Sequence, residues 1–569
     1  MPDVARRFFV NGKSAAKTGA RKIPRGYIYK REEIKMGFMQ NVKNMLNNEY
    51  NTSVTENGAV GYRTSGKALL DLNFAVSSLR KASANEIVNR FIKAYYEEPK
   101  LAIRWLFFAG DVRQGLGERR LFKTILVELA QSRPEIAKAL IPLIPEYSRW
   151  DILVALIDTP LAEEVVELIH RQLQEDGANM EKGASISLCA KWLPSENASS
   201  DNTKRLARLL TKKLSMTSKQ YRKMLSSYRS YLDVVEVKMS KKRWADIDYE
   251  AVPSRANLLY NVAFLRNDEE RRRAFLGAVK KGEKTVHAGV LYPHDIVHSY
   301  MDYDRRPGWI YVKALDDTLE ELWKALPDYV QGAGNTLCIA DGSGSMWTKV
   351  GSSNVSCLEV ANAIAIYFSQ RCTGQFKDTY ITFSQTPQFV DLSKGKTLYD
   401  KLCIAIHHNE VANTNIEAVF NLILDTAIKY RMPQHDLPEN LLILSDMEFD
   451  AATRSTVNGK WVSPDEKLFD KFVKKYASHG YRLPRLVFWN ICSRTKTIPI
   501  RENALGVALV SGFSPAITKM VLSNEVNPYK MLVQQLMVPR YDVVEQAVWS
   551  DFTDSTAGVN NTELDKTKE

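Results

Sequence analysis

In the second half of this chain, short apolar runs alternate with longer stretches of helical pattern. The runs are Thr336–Ala340, Thr379–Phe383, Asn440–Leu444 and Arg485–Asn490, with a shorter one at Gly506–Val510. Helices are predicted between them at Cys357–Gln370, Lys396–Ala405, Asn415–Arg431 and Pro464–His479. Strands that are apolar along their length must be covered on both faces. Strand–helix alternation supplies that cover only if the strands run parallel with helices on either side. In such sheets ligands bind beyond the carboxyl ends of the strands.

Three features fall at that rim. Leu337-Cys338-Ile339-Ala340-Asp341-Gly342-Ser343-Gly344-Ser345-Met346 ends a strand in one carboxylate and two hydroxyls at alternate positions. Asn413-Thr414-Asn415 precedes a helix, and Leu442-Ile443-Leu444-Ser445-Asp446 puts a second carboxylate at another strand end. Carboxylates and hydroxyls suit a hard divalent cation, and Mg²⁺ is expected, with water completing its shell. No general base stands nearby, and His407 and His408 read as caps of the preceding helix rather than as part of the site.

The first half reads differently. Residues 1–35 form a basic arm, either solubilising or phosphate-contacting, and 36–305 an array of medium helices joined by short Pro- or Gly-bearing turns. No fixed-period repeat is visible, so an open arc and a closed ring both fit. A connecting helix over 306–331, the second domain over 332–525, a C-terminal helix over 526–552 and a polar tail over 553–569 complete the plan.

Several stretches of the array are unusual for plain packing. The glycine-rich turn from Phe107 to Arg120 carries Asp111, Arg113, Glu118 and Arg119, and reads as a phosphate-holding turn or as an interhelical turn with local ion pairs. It lacks the strand and the Gly-Lys-Ser/Thr ending of a P-loop. Pro145–Asp151 places Asp151 near a helix start, and Lys191-Trp192 beside Pro194 offers either a stacking face or a structural tryptophan under a lysine stem. His294 and His298 have the spacing of a zinc pair on one helix face, though hydrogen-bonded packing is the simpler reading.

The charge run is the clearest signal of a partner. Lys204, Arg205, Arg208, Lys212, Lys213, Lys219, Arg222, Lys223, Arg229, Lys241, Lys242 and Arg243 stand against few acids, with Tyr221, Tyr228, Tyr231 and Trp244 interleaved. Together with Lys191, Arg113 and Arg119 they are the expected RNA-binding residues, and Arg271–Arg273 extends the patch. The whole chain of 569 residues carries a formal charge of +12, which favours polyanionic partners. The six cysteines form no Cys-x-x-Cys pair and read as reduced core residues of a cytoplasmic protein. No apolar segment is long enough for a bilayer, and no membrane association is expected.

The Asp341, Ser343, Ser345, Thr414 and Asp446 constellation resembles the metal-ion-dependent adhesion site of von Willebrand factor A domains. By that resemblance Ser343 and Ser345 ligate the ion directly, and Asp341, Thr414 and Asp446 do so directly or through water. Asn413 departs from the glycine common before that threonine. The resemblance implies a Rossmann-like fold and a protein partner that offers a carboxylate to the ion. A helical array followed by such a domain resembles the Ro autoantigen, the TROVE-type RNA-binding proteins with their HEAT-like helical ring. Phe108–Arg119, Pro145–Asp151, Lys191–Ser195 and Ser445–Phe449 resemble, more closely, a related family of unknown function found in plants, bacteria and phages. The combined expectation is a monomeric, cytoplasmic, non-enzymatic ribonucleoprotein component of α plus α/β architecture. It binds small or misfolded RNA on its basic array and docks a partner through Mg²⁺. The alternative is a metal-dependent assembly module without nucleic acid. A phosphoesterase is disfavoured by the lack of a second acidic metal cluster and of a nucleophile.

Overall fold

The computed structural model describes residues 51–549 apart from 304–309, 331–334, 352, 384, 409–413, 450–454, 458–459, 463–467, 500–506, 515–516, 518–524 and 526. The basic arm, the polar tail and Asn413 lie outside the described residues. A hairpin opens the described chain, β1 (Thr52–Val54) paired with β2 (Val60–Tyr62). The longer helices then follow: α1 (Ala68–Phe74), α2 (Ala84–Glu97), α3 (Pro99–Gly110), α4 (Arg119–Ser132), α5 (Pro134–Leu140), α6 (Ala162–Glu181), α7 (Asp201–Lys213), α8 (Ser218–Tyr231), α9 (Glu269–Lys280) and α10 (Pro293–Tyr300). Further short helices fill the gaps, among them Ile144–Tyr147, Trp150–Val154, Cys189–Trp192, Val235–Ser240, Ser254–Leu259 and Asn261–Asn267.

The link between halves is not the expected connecting helix over 306–331. A hairpin of β3 (Met301–Tyr303) and β4 (Ile310–Val312) comes first, and α11 (Asp317–Lys324) begins only where the Asp316 side chain caps the Thr318 and Leu319 amides. The sheet strands are β5 (Thr336–Asp341), β6 (Thr379–Phe383), β7 (Gln388–Asp391), β8 (Asn440–Ser445), β11 (Arg485–Asn490) and β12 (Val507–Ser511). A separate small hairpin joins β9 (Ser455–Val457) and β10 (Lys460–Val462). Helices α12 (Cys357–Arg371), α13 (Leu398–Ile406), α14 (Ile416–Lys429) and α15 (Leu468–Ser478) alternate with the strands, and α16 (Pro528–Leu536) and α17 (Asp542–Trp549) end the described chain.

The six-stranded sheet has the order β12-β11-β8-β5-β6-β7, parallel except for β7, which pairs antiparallel with β6 at one edge. That edge strand is absent from the sequence reading, since Gln388-Phe389-Val390-Asp391 is short and only half apolar. The chain leaves β5 for β6 on one side and returns through β8 on the other, so the topological switch point lies between β5 and β8. The α plus α/β architecture is thus present.

The halves share one continuous core. Residues just after α1 reach the sheet edge: the Ser77 hydroxyl bonds the Asn490 carbonyl at 3.0 Å and the Ser511 hydroxyl at 2.8 Å, and Asn490 Nδ2 donates to Phe74 O at 2.8 Å. Helix α10 packs along α12, where His298 Nδ1 meets Glu359 at 2.8 Å. That carboxylate also caps α12 by accepting from the Ser356 amide. His294, four residues earlier, is buried between Tyr292 and Phe513, so the two histidines have separate packing tasks and do not form a zinc pair. Burial lowers the His294 pKa from 6.5 to about 4.

The last helices return to the first half. Helix α17 packs on α3 and α5, with Arg104 Nε donating to Glu545 at 2.6 Å. Just before it, Arg540 forms a two-pronged pair with the fully buried Asp111, at 2.6 and 3.0 Å, and the Tyr541 hydroxyl adds a third bond at 3.1 Å. Removing one partner of a buried pair strands the other charge. Arg540→Ala should therefore cost about 3 kcal/mol or more in urea unfolding, whereas Arg113→Ala, at an exposed pair, should cost under about 1 kcal/mol. His294 makes a second prediction. The unfolded chain protonates this ring near pH 6.5 and the folded one only near 4. Stability from it is complete above pH 6.5 and falls as pH drops toward 4. His294→Phe should flatten the slope of unfolding free energy in that window relative to wild type.

Candidate functional site: an oxygen-lined rim at the switch point

Strand β5 delivers Asp341 and β8 delivers Ser445 and then Asp446, so two carboxylates meet on either side of the switch point. Both are buried, at 1 % exposure each. Asp341 Oδ1 accepts from the Ser343 amide at 2.9 Å and Oδ2 from the Ser445 hydroxyl at 2.6 Å. The Ser343 and Ser345 hydroxyls lie 3.0 Å apart, and Ser345 also bonds to Asp446. Burial first, and the neighbouring Asp341 second, raise the Asp446 pKa from 3.8 to about 7. Two like charges in a dry pocket call for a cation. The protein supplies one in Arg494, 3.4 Å from Asp446.

Thr414 is buried and tied to the same rim through Asn57, whose Nδ2 donates to Thr414 Oγ1 at 3.2 Å and to the Glu448 carbonyl at 2.7 Å. Asn57 sits at the tip of the β1–β2 hairpin. The same tip bonds Thr55 Oγ1 to Phe449 O at 2.5 Å and Glu56 N to Glu448 Oε2 at 2.9 Å, and its Glu56 carboxylate pairs with Arg494 at 2.6 Å. Glu448 is fully buried and spends its other oxygen on the Arg494 and Thr495 amides, at 2.6 and 2.8 Å. It is an organiser of the loops around the rim. Asn57 and Arg494 are absent from the sequence reading, and Glu448 enters it only within the Ser445–Phe449 stretch, with no role of its own. Asn57 could not be found there, being 357 residues from its partner. Among the described residues no three His, Cys, Asp or Glu side chains cluster as a metal site of their own. This rim gathers two carboxylates with hydroxyls instead.

His408 lies near this region, with Nδ1 on Gln388 at 3.2 Å, and His407 Nδ1 contacts the Cys403 carbonyl at 2.5 Å, closing the end of α13. Five of the cysteines are buried, and all six are free thiols.

The expected RNA-binding residues fall into two sets. Many are already engaged. Lys204 pairs with Asp201 at 3.1 Å, Arg205 with Asp158 at 2.6 Å, Lys213 with Glu163 at 2.5 Å, and Arg243 with Asp246 at 3.4 Å. Arg113 pairs with Glu146 at 3.1 Å, and Lys191 and Arg222 lie 3.7 and 3.9 Å from Glu236 and Glu196. Arg229 is half-buried, and all its donors go to Ala190 O, Leu193 O and the Ser195 hydroxyl. The interleaved tyrosines tie helices together rather than offering stacking faces: Tyr221 donates to Pro194 O, Tyr228 to Leu173 O and Tyr231 to Ala184 O. Nor does Arg271–Arg273 extend a patch. Arg271 reaches Asp268 and two carbonyls, Arg272 is buried among Tyr249, Phe264 and Phe275, and Arg273 pairs with Glu269. The second set, Arg208, Lys212, Lys219, Lys223, Lys241 and Lys242, is exposed and makes no ion pair among the described residues.

Arg119 belongs elsewhere. It lines a cleft of about 440 Å³ with Arg80, Arg120, Lys123, Arg149 and Asp151, closed on the far side by Gly351 and Ser353. Burial and the neighbouring Arg149 lower its pKa. The glycines of its turn do not make room for a ligand. A Cβ on Gly115 would strike the Phe108 carbonyl, and Gly117, at φ +67°, lies against the Tyr292 hydroxyl.

With this geometry in view, comparison with known proteins adds sequence kinship. Residues 335–548 match a domain of unknown function, DUF7788, and residues 160–335 match another, DUF2828. The chain is also similar to the uncharacterized protein L728 of Acanthamoeba polyphaga mimivirus. The two are 28% identical over 526 residues, covering 85% of this chain and 87% of that one. The border between the two family matches falls just before β5, while the β1–β2 hairpin that touches the rim precedes both.

The hairpin yields a local prediction. Asn57→Ala removes its bonds to Thr414 and Glu448, so amide hydrogen exchange should quicken across residues 51–62 while the sheet strands keep their protection.

Proposed function

We propose that this protein is an RNA-binding scaffold of Ro type. Its C-terminal half would be a von Willebrand A-like domain holding Mg²⁺ at Asp341, Ser343, Ser345, Thr414 and Asp446. The carrying observation is the convergence of two buried carboxylates and the Ser343 and Ser345 hydroxyls at the switch point, with Asp446 raised to about 7 beside Asp341. That set of hard oxygen donors fits a divalent cation, whose charge would relieve the repulsion. When bound, the ion supplies a Lewis-acidic position able to take a carboxylate from a partner. The chain's own part is to hold its donors in place: Ser445 fixes Asp341, the Ser343 amide fixes its other oxygen, and Asn57 steadies Thr414. The protein acts in this reading by binding, not by catalysis.

RNA would be held through phosphates by Arg208, Lys212, Lys219, Lys223, Lys241 and Lys242 on the HEAT-like helical half. The neutralised pairs at Lys204, Arg205 and Lys213 favour a second reading, an assembly module with no nucleic-acid role.

Two measurements separate these. Mg²⁺ should raise the melting temperature of the wild type and leave Ser343→Ala/Ser345→Ala unmoved; an equal rise in both would overturn the metal site. Gel shifts with small structured RNA should weaken steeply as salt rises, and replacing Lys212, Lys219, Lys223 and Lys241 by Gln should reduce both affinity and salt slope. No gel shift even at low salt would leave the assembly reading standing, and unchanged binding in that variant would overturn the assignment of RNA to these lysines.

A further inference from the structure

The stretches around the glycine-rich turn, Pro145–Asp151 and Lys191–Ser195 are far apart in sequence and come together in space. The Val112 amide donates to the Tyr147 carbonyl at 3.1 Å, and the Arg149 guanidinium lies 4.0 Å above the Trp192 ring. Between them they line two adjoining clefts, and Asp151 faces both.

The clefts differ in chemistry. The first, of about 440 Å³, is cationic. Two of its charges are answered: Arg80 pairs with Glu118, its Nε 2.9 and 3.0 Å from the two carboxylate oxygens, and Arg149 pairs with Asp151. Arg120 spends its donors on the Leu79 and Ala82 carbonyls and meets no acid. Arg119 and Lys123, one turn apart on α4, make no ion pair among the described residues. Three uncompensated positive charges crowd one concavity, a costly arrangement unless an anion enters. The second cleft, of about 630 Å³, is mostly apolar, walled by Trp192, Leu193, Pro194, Val154, Leu206 and Val237. Both volumes lie in the range of roughly 300–1,000 Å³ typical of small-ligand sites.

We infer that these joined clefts bind a nucleotide, with its 5′-phosphate on Arg119, Arg120 and Lys123 and its base against the Trp192 wall. An anion alone would need only the first cleft. The apolar, aromatic neighbour, which shares Asp151 with the first cleft, is what favours a base-bearing phosphate. Gly351 and Ser353, on the loop that follows Asp341–Met346, close the cationic cleft, so the ligand would touch both halves of the chain. This site goes beyond the RNA and metal reading and depends on neither the exposed Lys212, Lys219, Lys223 and Lys241 nor the rim carboxylates.

The test is calorimetric titration of the full chain with AMP, inorganic phosphate and adenosine. AMP should bind at least tenfold more tightly than either fragment. Arg119→Gln/Lys123→Gln, both at exposed positions, should weaken AMP at least tenfold and leave adenosine unchanged; Trp192→Leu should weaken AMP and adenosine and leave phosphate unchanged. AMP binding no tighter than phosphate would reduce the site to a plain anion pocket and overturn the inference. So would AMP binding that the Arg119/Lys123 variant does not alter. Loss of RNA shifts in the Lys212, Lys219, Lys223 and Lys241 to Gln variant with AMP binding intact would keep the two proposals apart.

Discussion

A single buried carboxylate, Asp111, holds the first and last parts of the described chain together. It takes two bonds from Arg540 and one from Tyr541, and it also accepts from the Arg113 amide at 3.0 Å within its own turn. An ionised carboxylate with no exposure is tolerable only because its oxygens are so occupied. The consequence is positional. The turn after α3 is fixed, so Glu118 sits where it can receive Arg80, and Arg119 and Lys123 are presented on the first turns of α4. The cationic cleft is a by-product of that anchoring.

The rim at the sheet follows the same physics with the opposite sign. At Asp111 a buried acid is matched by an arginine at hydrogen-bonding distance. At Asp446 the nearest arginine stands 3.4 Å away and is shared with Glu56, while a second acid is close by. One site is complete within the protein, and the other is left with a surplus of negative oxygen. Glu448 is a third case: it belongs to neither category, because backbone amides from two separate loops saturate it.

What could be read from the sequence follows the range of the forces involved. The sheet strands were legible because burial on both faces leaves unbroken apolar runs, and Asp341 and Asp446 were legible because strand ends are local. Edge strand β7 escaped because its exposed Phe389 and polar ends carry no such run. Part of the basic stretch meets counter-charges that its own sequence could not show: Arg205 finds Asp158 across 47 residues and Lys213 finds Glu163 across 50. The three arginine- and tryptophan-bearing stretches could be singled out individually, but nothing in their spacing revealed that they meet.

Helix α17 follows α3 and α5 by some four hundred residues in the chain, yet it packs on both. Without Arg540, Tyr541 and Glu545, the Asp111 carboxylate keeps only the Arg113 amide, Arg104 loses a carboxylate, and α3 loses its packing against α17. The first half therefore gains this part of its packing only from residues near the far end of the described chain. Cutting the chain at the border between the two family matches would part α17 from α3 and α5 and leave both surfaces incomplete.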